Sequence, residues 1–249
     1  MSERLLAPAK LTWYLEVTAR RSDGYHLLRS EMLTLDTSDV LTFSTGSTVS
    51  FSGPRPNIET LDATDNLVTK ALALVGRTAH VHVEKNIPLG GGLGGGSADA
   101  AAVLRWAGFR DLERAATLGG DVPFCLVGGR AVVTGIGERV EPLAFESRTV
   151  TLFLPDFGVN TARCYQAFDE LTLDGAPRNE RNHLTDAAIK VEPRLGELMR
   201  WIDATYGPAI LAGSGSTVYV EGDVTGGATG VVESPVGPVE VIVSHATPA

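Results

Sequence analysis

Alternating apolar and polar residues predict that the chain begins with a β-hairpin. Apolar side chains occupy every second position from 11 to 17, which is the period of a strand with one buried face. The dipeptide Asp23-Gly24 follows and favours a tight turn between antiparallel strands. Residues 27–35 then supply the returning strand.

The rest of the chain mixes helical and strand patterns. One helix is predicted at 66–75, with Asp65 as its expected cap. Further helices are predicted at 98–106, 110–118, 161–171 and 184–205, and strands at 40–43, 49–51, 79–84, 131–134, 139–143, 150–154, 217–221 and 239–244. Because the composition shifts after the strand at 150–154, we predict a domain boundary near residue 150, which gives the domains 1–149 and 150–249.

Composition narrows the class of protein. The chain has 249 residues, of which 43% are hydrophobic and 20% charged, as in ordinary globular proteins. Its formal net charge of −9 gives no general attraction to nucleic acid or anionic lipid. With no apolar window near the roughly 20 residues of a membrane span and no evident signal peptide, we expect a cytoplasmic protein.

Cysteine and histidine give no sign of a metal or disulfide site. Two isolated cysteines, Cys125 and Cys164, form neither a disulfide framework nor a zinc site, and we expect buried thiols. His80 and His82 share a strand face but have no third ligand nearby in the sequence. We therefore interpret them as a polar strand face and identify no metal-ligating residue in the sequence.

A glycine-rich segment lies between a predicted strand and a predicted helix. Six glycines fall within the eight residues from Gly90 to Ser97. Glycine permits close backbone approach and positive φ, and the next helix offers free amides and a positive dipole end. A flexible linker is one alternative, but linkers rarely lie between a strand and an alanine-rich helix. A plain tight turn is the other, but a turn needs only one or two glycines, and six lose much backbone entropy on ordering. The segment predicts a site for nucleotide phosphates.

Two common phosphate-binding loops fit this segment poorly. It matches Gly-x-Gly-x-x-Gly from Gly90 to Gly95, yet the dinucleotide fold needs an acidic residue about 20 positions later at a strand end. Asp111 and Glu113 fall in a predicted helix instead. A P-loop needs a lysine directly before the serine, and glycine stands before Ser97.

Several motifs together resemble the GHMP kinase superfamily. In chain order they are Ala7-Pro-Ala-Lys10, Ser22-Asp-Gly-Tyr-His26, Pro88-Leu-Gly-Gly-Gly-Leu-Gly-Gly-Gly-Ser97, Gly119-Gly-Asp-Val-Pro-Phe124, Gly135-Ile-Gly-Glu138 and Ala212-Gly-Ser-Gly-Ser216. The resemblance implies a two-domain α+β fold, with a ribosomal protein S5 domain 2-like N-terminal domain and a ferredoxin-like C-terminal domain. It also implies an ATP-dependent kinase of the branch that phosphorylates the 2-hydroxyl of CDP-methylerythritol in the non-mevalonate isoprenoid pathway.

The same resemblance implies roles for individual residues. Asp121 would be the general base for the acceptor hydroxyl, and Lys10 would keep it ionised and polarise that hydroxyl. From the residues alone, a helix or turn cap before Val122-Pro123 is the better interpretation of Asp121, and only the resemblance favours the base. ATP would be bound by Pro88, Leu89, Gly90, Gly91, Gly92, Leu93, Gly94, Gly95, Gly96 and Ser97, with Lys85 as a further charge, and would bring Mg²⁺. The substrate would contact Tyr25, His26, Thr12, Thr161, Gly213 and Ser214.

Two positions depart from the superfamily branch, and alternatives stay open. Thr12 stands where asparagine is usual, and His183 where aspartate is usual. The chain could instead be a homoserine, mevalonate or sugar kinase of the same superfamily, a non-catalytic nucleotide-binding module or, more distantly, a Rossmann dehydrogenase. We expect a monomer or weak homodimer that binds its small substrates but neither nucleic acid nor membrane.

Overall fold

The computed structural model describes residues 2–54, 58, 61–172 and 179–249. Its first half contains β1 (Glu3–Arg20), β2 (His26–Ser44), β3 (Val49–Ser52), α1 (Leu67–Leu74), β4 (His80–Glu84), α2 (Gly95–Trp106), α3 (Leu112–Ala116), α4 (Val122–Val127), β5 (Arg130–Gly135) and β6 (Arg139–Pro142). Its second half contains β7 (Thr149–Pro155), α5 (Thr161–Thr172), α6 (Thr185–Val191), α7 (Pro193–Thr205), β8 (Ile210–Leu211), β9 (Val218–Glu221), β10 (Gly230–Ser234) and β11 (Gly237–His245).

Strand β2 organises the first sheet. It pairs with β1 along one edge and with β4 and β5 along the other, in the order β3-β4-β2-β5-β6. The hairpin between β1 and β2 turns at the predicted dipeptide, where Gly24 has a φ of 91°. One strand replaces the two predicted at 27–35 and 40–43, because the polar residues 36–39 continue it through an irregularity opposite Pro8–Lys10.

Strand β7 joins the two halves of the molecule. It lies in the antiparallel second sheet, whose order is β10-β11-β7-β9-β8. Its alternation places Val150, Leu152 and Leu154 in the core cluster of the first half, whereas Phe153 packs into the core beneath α5, α6 and α7. Leu15 of β1 also belongs to that second core. The halves therefore share packed side chains along their boundary.

Helix boundaries show where local sequence signals were insufficient. Helix α2 begins at Gly95, before the predicted residue 98, because Gly94 supplies a left-handed capping conformation with φ of 71°. The prediction of one helix at 184–205 is wrong, since Pro193 forces Glu192 to be extended and separates α6 from α7. Helix α4 escaped prediction because its six residues are all apolar and show no helical period.

Smaller differences concern a cap and a strand. The cap of α1 is Asn66 and not Asp65: the Asn66 side chain accepts a hydrogen bond from the Thr69 amide at 2.9 Å. Strand β10 is also absent from the prediction, since it is short and largely exposed. The α+β class is confirmed, and the division at residues 149 and 150 stays a prediction. Among the described residues, no helix is both long and apolar enough to cross a membrane.

Candidate active site

The glycine loop adopts a conformation that most residues would resist. Gly90, Gly92 and Gly94 have φ values of 72°, 82° and 71°, in the left-handed region. Gly94 caps α2 without any side-chain hydrogen bond. The first amides of this 12-residue helix, and the positive end of its dipole, are therefore available to an anion.

A second glycine turn, from the other half of the chain, packs directly on this loop. A Cβ on Gly92 would lie 2.9 Å from the carbonyl oxygen of Ala212, and one on Gly215 would lie 2.6 Å from the Gly92 Cα. The Thr217 amide donates to the carbonyl of Gly91 at 3.2 Å. The two turns approach so closely that only glycine fits at the contact, and the loop is braced from both halves.

Lys10 and Asp121 form an ion pair beside the loop. Their Nζ and Oδ2 atoms are 3.2 Å apart, and the Lys10 ammonium also donates to the Thr12 hydroxyl at 3.0 Å. Lys10 is buried, while the Asp121 side chain is 35% exposed and can meet a ligand. A Cβ on Gly94 would lie 2.7 Å from the Lys10 Cγ, so the lysine stem rests on the glycine loop.

The β5–β6 hairpin fixes the backbone that carries Asp121. Gly137 packs so closely on the carbonyl of Gly120 that a side chain would collide with it. The Glu138 carboxylate accepts from the Ile136 amide at 2.7 Å and holds this hairpin turn. Asp121 stands at the N-cap of α4 but makes no capping hydrogen bond. Its carboxylate faces Lys10 instead, which separates this residue from the helix-cap interpretation.

Two cavities meet at Asp121. One, of about 330 Å³, is lined by the glycine loop and Lys10. The other, of about 870 Å³, extends towards Tyr25 and His26. Both are lined by Ser97, Asp121, Thr161 and Ser214. Such an arrangement can hold two ligands whose reacting ends come together at one carboxylate.

The structure separates the two aromatic residues predicted at the nucleoside end. Tyr25 is 61% exposed at the rim of the larger cavity, whereas the His26 side chain is largely buried. The His26 ring stacks on Tyr165 at a centroid distance of 4.9 Å. Sequence reasoning missed Tyr165, although it lies one helical turn after Thr161 on α5, and that spacing was the available signal.

The remaining predicted contacts also cluster around Lys10. The hydroxyls of Thr161 and Ser214 are 3.2 Å apart. Gly213 has a φ of 82°, and a Cβ there would lie 3.4 Å from the Lys10 Nζ. Asn182, which sequence reasoning missed, donates to the Gly213 carbonyl at 2.7 Å and so supports this turn.

Lys85 lies in a buried ion cluster beneath the loop. Its ammonium contacts the carboxylates of Asp39 and Asp99, the latter at 2.6 Å. Asp39 also accepts from the amides of Asn86 and Ile87 at 2.6 and 2.8 Å, which ties down the segment that leads into the loop. Lys85 is 2% exposed. Its contact with phosphate stays a prediction, and its observed partners are the two carboxylates.

Burial perturbs the titration of this cluster. Desolvation by burial raises the pKa of Asp99 to about 7. The attraction of Lys85 is the next largest effect and lowers the pKa, but it does not outweigh desolvation. Burial lowers the pKa of Lys85, but attraction to Asp99 and Asp39 outweighs it and the pKa rises. The Asp99 Oδ1 atom has no hydrogen-bond partner among the described residues, which adds to the preference for the neutral acid.

Other sequence interpretations concern residues outside the site. His80 hydrogen-bonds Thr48, and His82 hydrogen-bonds Ser50 and Ser52, so the polar strand face is confirmed. Both cysteines are buried thiols as predicted, and burial raises the pKa of each to about 12. His183 accepts from the Val17 amide at 3.2 Å through Nδ1. In the described part of the chain, no three His, Cys, Asp or Glu residues are grouped to hold a metal.

Comparison with known proteins agrees with this geometry. The family model described as "GHMP kinases N terminal domain" matches residues 66–129, which span α1, the glycine loop and α4. The fold and the site together define a GHMP kinase, an ATP-dependent small-molecule phosphotransferase. A mevalonate kinase of L. major, 12% identical, shares the fold with a TM-score of 0.62 over 100% of this chain and 99% of its own.

More similar relatives narrow the family. The 4-diphosphocytidyl-2-C-methyl-D-erythritol kinase of Paracoccus denitrificans is 37% identical over 239 residues, which cover 88% of this chain and 86% of the relative. The protein of that name from Polaromonas naphthalenivorans is 34% identical, covering 86% and 84%. A crystal structure of 4-(cytidine 5'-diphospho)-2C-methyl-D-erythritol kinase has a TM-score of 0.72 and 28% identity, covering 98% of this chain and 100% of its own. The chain belongs to the 4-diphosphocytidyl-2-C-methyl-D-erythritol kinase family.

Proposed function

We propose that the protein transfers the γ-phosphoryl group of ATP to the 2-hydroxyl of 4-diphosphocytidyl-2-C-methyl-D-erythritol. The observation that carries the proposal is the Lys10–Asp121 ion pair, 3.2 Å long, where the loop cavity meets the larger cavity. Family membership supplies the substrate, since the relatives of 37% and 34% identity bear its name.

In this mechanism Asp121 acts as the general base. Its carboxylate takes the proton of the acceptor hydroxyl, the hydroxyl oxygen attacks the γ-phosphorus, and the bond to the β-phosphate oxygen breaks to release ADP. Lys10 pairs with this carboxylate and attracts the developing alkoxide. Thr12 orients the Lys10 ammonium through their hydrogen bond at 3.0 Å. Phosphoryl transfer needs mainly positioning and charge stabilisation, which suits so few charged groups.

The nucleotide phosphates would occupy the glycine loop, from Pro88 to Ser97. Amides at the start of α2 would bind phosphate oxygens, as helix N-termini do. Mg²⁺ fits this site, because Ser97 lines both cavities with a hydroxyl oxygen and this ion otherwise keeps phosphate and water ligands. When bound, Mg²⁺ would offset charge on the transferring group.

The larger cavity would hold the cytidine diphosphate end of the substrate. Tyr25, His26, Thr161 and Ser214 line it. An aromatic face suits the flat base, and the two hydroxyls suit the diphosphate or the polyol. A cytoplasmic location and a monomeric or weakly dimeric state stay predictions.

Release of ADP, measured by a coupled assay with ATP-Mg²⁺, tests the proposal. We expect turnover with the CDP-alcohol and little with homoserine, mevalonate or sugars. Asp121→Asn should lower kcat by a factor of about 10²–10⁴, the usual contribution of a general base. Asp111→Asn is a matched control, because Asp111 caps α3 and does not line either cavity. Near-normal turnover by Asp121→Asn would show that another group is the base.

A further inference from the structure

The His26 imidazole is held in place from the opposite half of the chain. Its Nε2 atom lies 2.7 Å from Oδ1 of Asp169, which is 143 positions away on α5. Because an ionised carboxylate only accepts hydrogen bonds, Nε2 carries the hydrogen and the ring is fixed in one orientation. His26 starts β2 in the first half, so this contact bridges the cavity between the halves.

Asp169 has a second partner that completes the wall. Its Oδ2 atom lies 3.3 Å from Arg20, which is the cross-strand neighbour of His26 at the end of β1. Tyr165 precedes Asp169 by one helical turn and covers a face of the His26 ring, with an interplanar angle of 24°. One face of α5 thus provides both the stacking surface and the hydrogen-bond acceptor for His26.

We propose that Asp169 is a positioning residue for the nucleoside end of the substrate. By holding His26 against Tyr165, it sets the wall that the cytosine and ribose meet in the larger cavity. His26 is the fixed part of this wall, and the exposed Tyr25 is the part that closes over the ligand. The inference rests on the proposed function and adds to it a residue that fixes the shape of the pocket.

Asp169→Ala removes the carboxylate and thereby its contacts with both His26 and Arg20. We expect the KM for the CDP-alcohol to rise about tenfold, the usual effect of deleting a hydrogen bond to a charged group. The KM for ATP and the kcat should stay within about twofold, since Lys10, Asp121 and the glycine loop are untouched. Asp169→Asn should restore part of the affinity, because its amide oxygen still accepts from His26 while the charge facing Arg20 is lost.

Glu170→Gln is the matched control. Glu170 lies next on α5 and pairs with the exposed Lys190 at 2.6 Å, but it does not line the cavity. Titration calorimetry with CDP, without ATP, should show the same order of affinity as the KM values. Imidazole NMR should show a hydrogen-bonded Nε2–H in the wild type and in Asp169→Asn but not in Asp169→Ala.

The outcomes separate this inference from the proposed function. A wild-type enzyme that turns over the CDP-alcohol while Asp169→Ala keeps normal KM and CDP affinity overturns the inference alone. A rise in the KM for ATP and a fall in kcat as large as the change in the KM for the CDP-alcohol would also overturn it, because such changes indicate general disruption of the fold. A folded wild type with no turnover of this substrate refutes the proposed function, and the inference with it. If Asp169→Ala does not fold, Asp169→Leu replaces it, because leucine has a similar volume but cannot accept a hydrogen bond from His26; wild-type KM and CDP affinity in that variant overturn the inference.

Discussion

Replacing Lys85 by methionine tests the buried ion cluster. It distinguishes a structural role, in which Lys85 pairs with two carboxylates, from a direct contact with the nucleotide phosphates. Methionine has a similar length and is apolar, so the change mainly removes the charge. Two carboxylates, of Asp39 and Asp99, would then lie buried without their shared cation, since they are 0% and 3% exposed. Asp39 would keep only its backbone donors, the amides of Asn86 and Ile87.

The expected loss of stability is large compared with the total free energy of unfolding of a domain. Removing one partner of a buried ion pair costs about 3–5 kcal/mol, and a domain is usually stable by about 5–15 kcal/mol. Protonation of Asp99, whose pKa burial already raises to about 7, would relieve part of the repulsion. We therefore expect Lys85→Met to lose about 3 kcal/mol at pH 8 and less at pH 6.

Equilibrium unfolding in urea, together with ATP titration, gives the measurement. The double variant Lys85→Met, Asp99→Asn should recover part of the lost stability, because it removes one of the unpaired charges. If the free energy of unfolding of Lys85→Met is within about 1 kcal/mol of the wild-type value, the buried cluster is refuted, because a broken buried ion pair should cost much more. If such a protein nevertheless failed to bind ATP, the direct phosphate contact predicted from sequence would be favoured instead.

Three further predictions follow from single contacts. Gly92→Ala should weaken ATP binding at least tenfold in a titration, because a Cβ would lie 2.9 Å from the Ala212 carbonyl, while Gly90→Ala has open space and should bear only backbone strain; equal effects would contradict this. Unfolding stability should fall as pH rises from about 5 to 7, by up to about 1.4 kcal/mol per unit from Asp99 alone, since its raised pKa makes the folded protein bind the proton that the unfolded chain has released; Asp99→Asn should lack this slope. Ser30→Ala should keep the free energy of unfolding in urea or raise it by about 1 kcal/mol, because the buried Ser30 hydroxyl has no hydrogen-bond partner among the described residues and an unsatisfied buried group is destabilising; a loss of stability above about 1 kcal/mol would contradict an unpaired hydroxyl.

The sequence predicted local features better than contacts between distant residues. The hairpin at Asp23-Gly24 and the left-handed conformation of the glycine loop follow from backbone preferences of a few residues, and the structure contains both. The break before Pro193 was wrongly predicted as continuous helix, although it was readable, because proline restricts the preceding residue. Helix α4 was not, since a short buried helix has no polar face to mark its period.

Site residues that are far apart in the chain needed more than local patterns. Lys10 and Asp121 meet only through the folded sheet and the glycine loop, and the sequence suggested their pairing through family resemblance alone. The contact of His26 with Asp169 depends on how the two halves pack, which no spacing encodes. The partners of Lys85 also escaped sequence reasoning: a lysine near a phosphate loop suggests a ligand contact, which stays a prediction, while the structure pairs this lysine with two buried carboxylates.

The alternation along β7 has a consequence for folding and unfolding. Leu152 and Phe153 are adjacent in sequence but belong to different cores, and Leu15 from the N-terminal hairpin completes the second one. A gene cut after residue 149 would deprive each fragment of side chains that fill its interior. We expect the separate fragments to be insoluble and the intact chain to unfold in one cooperative step. The cavities lie at the boundary between the two halves, and we expect that the halves cannot separate there unless both cores unfold.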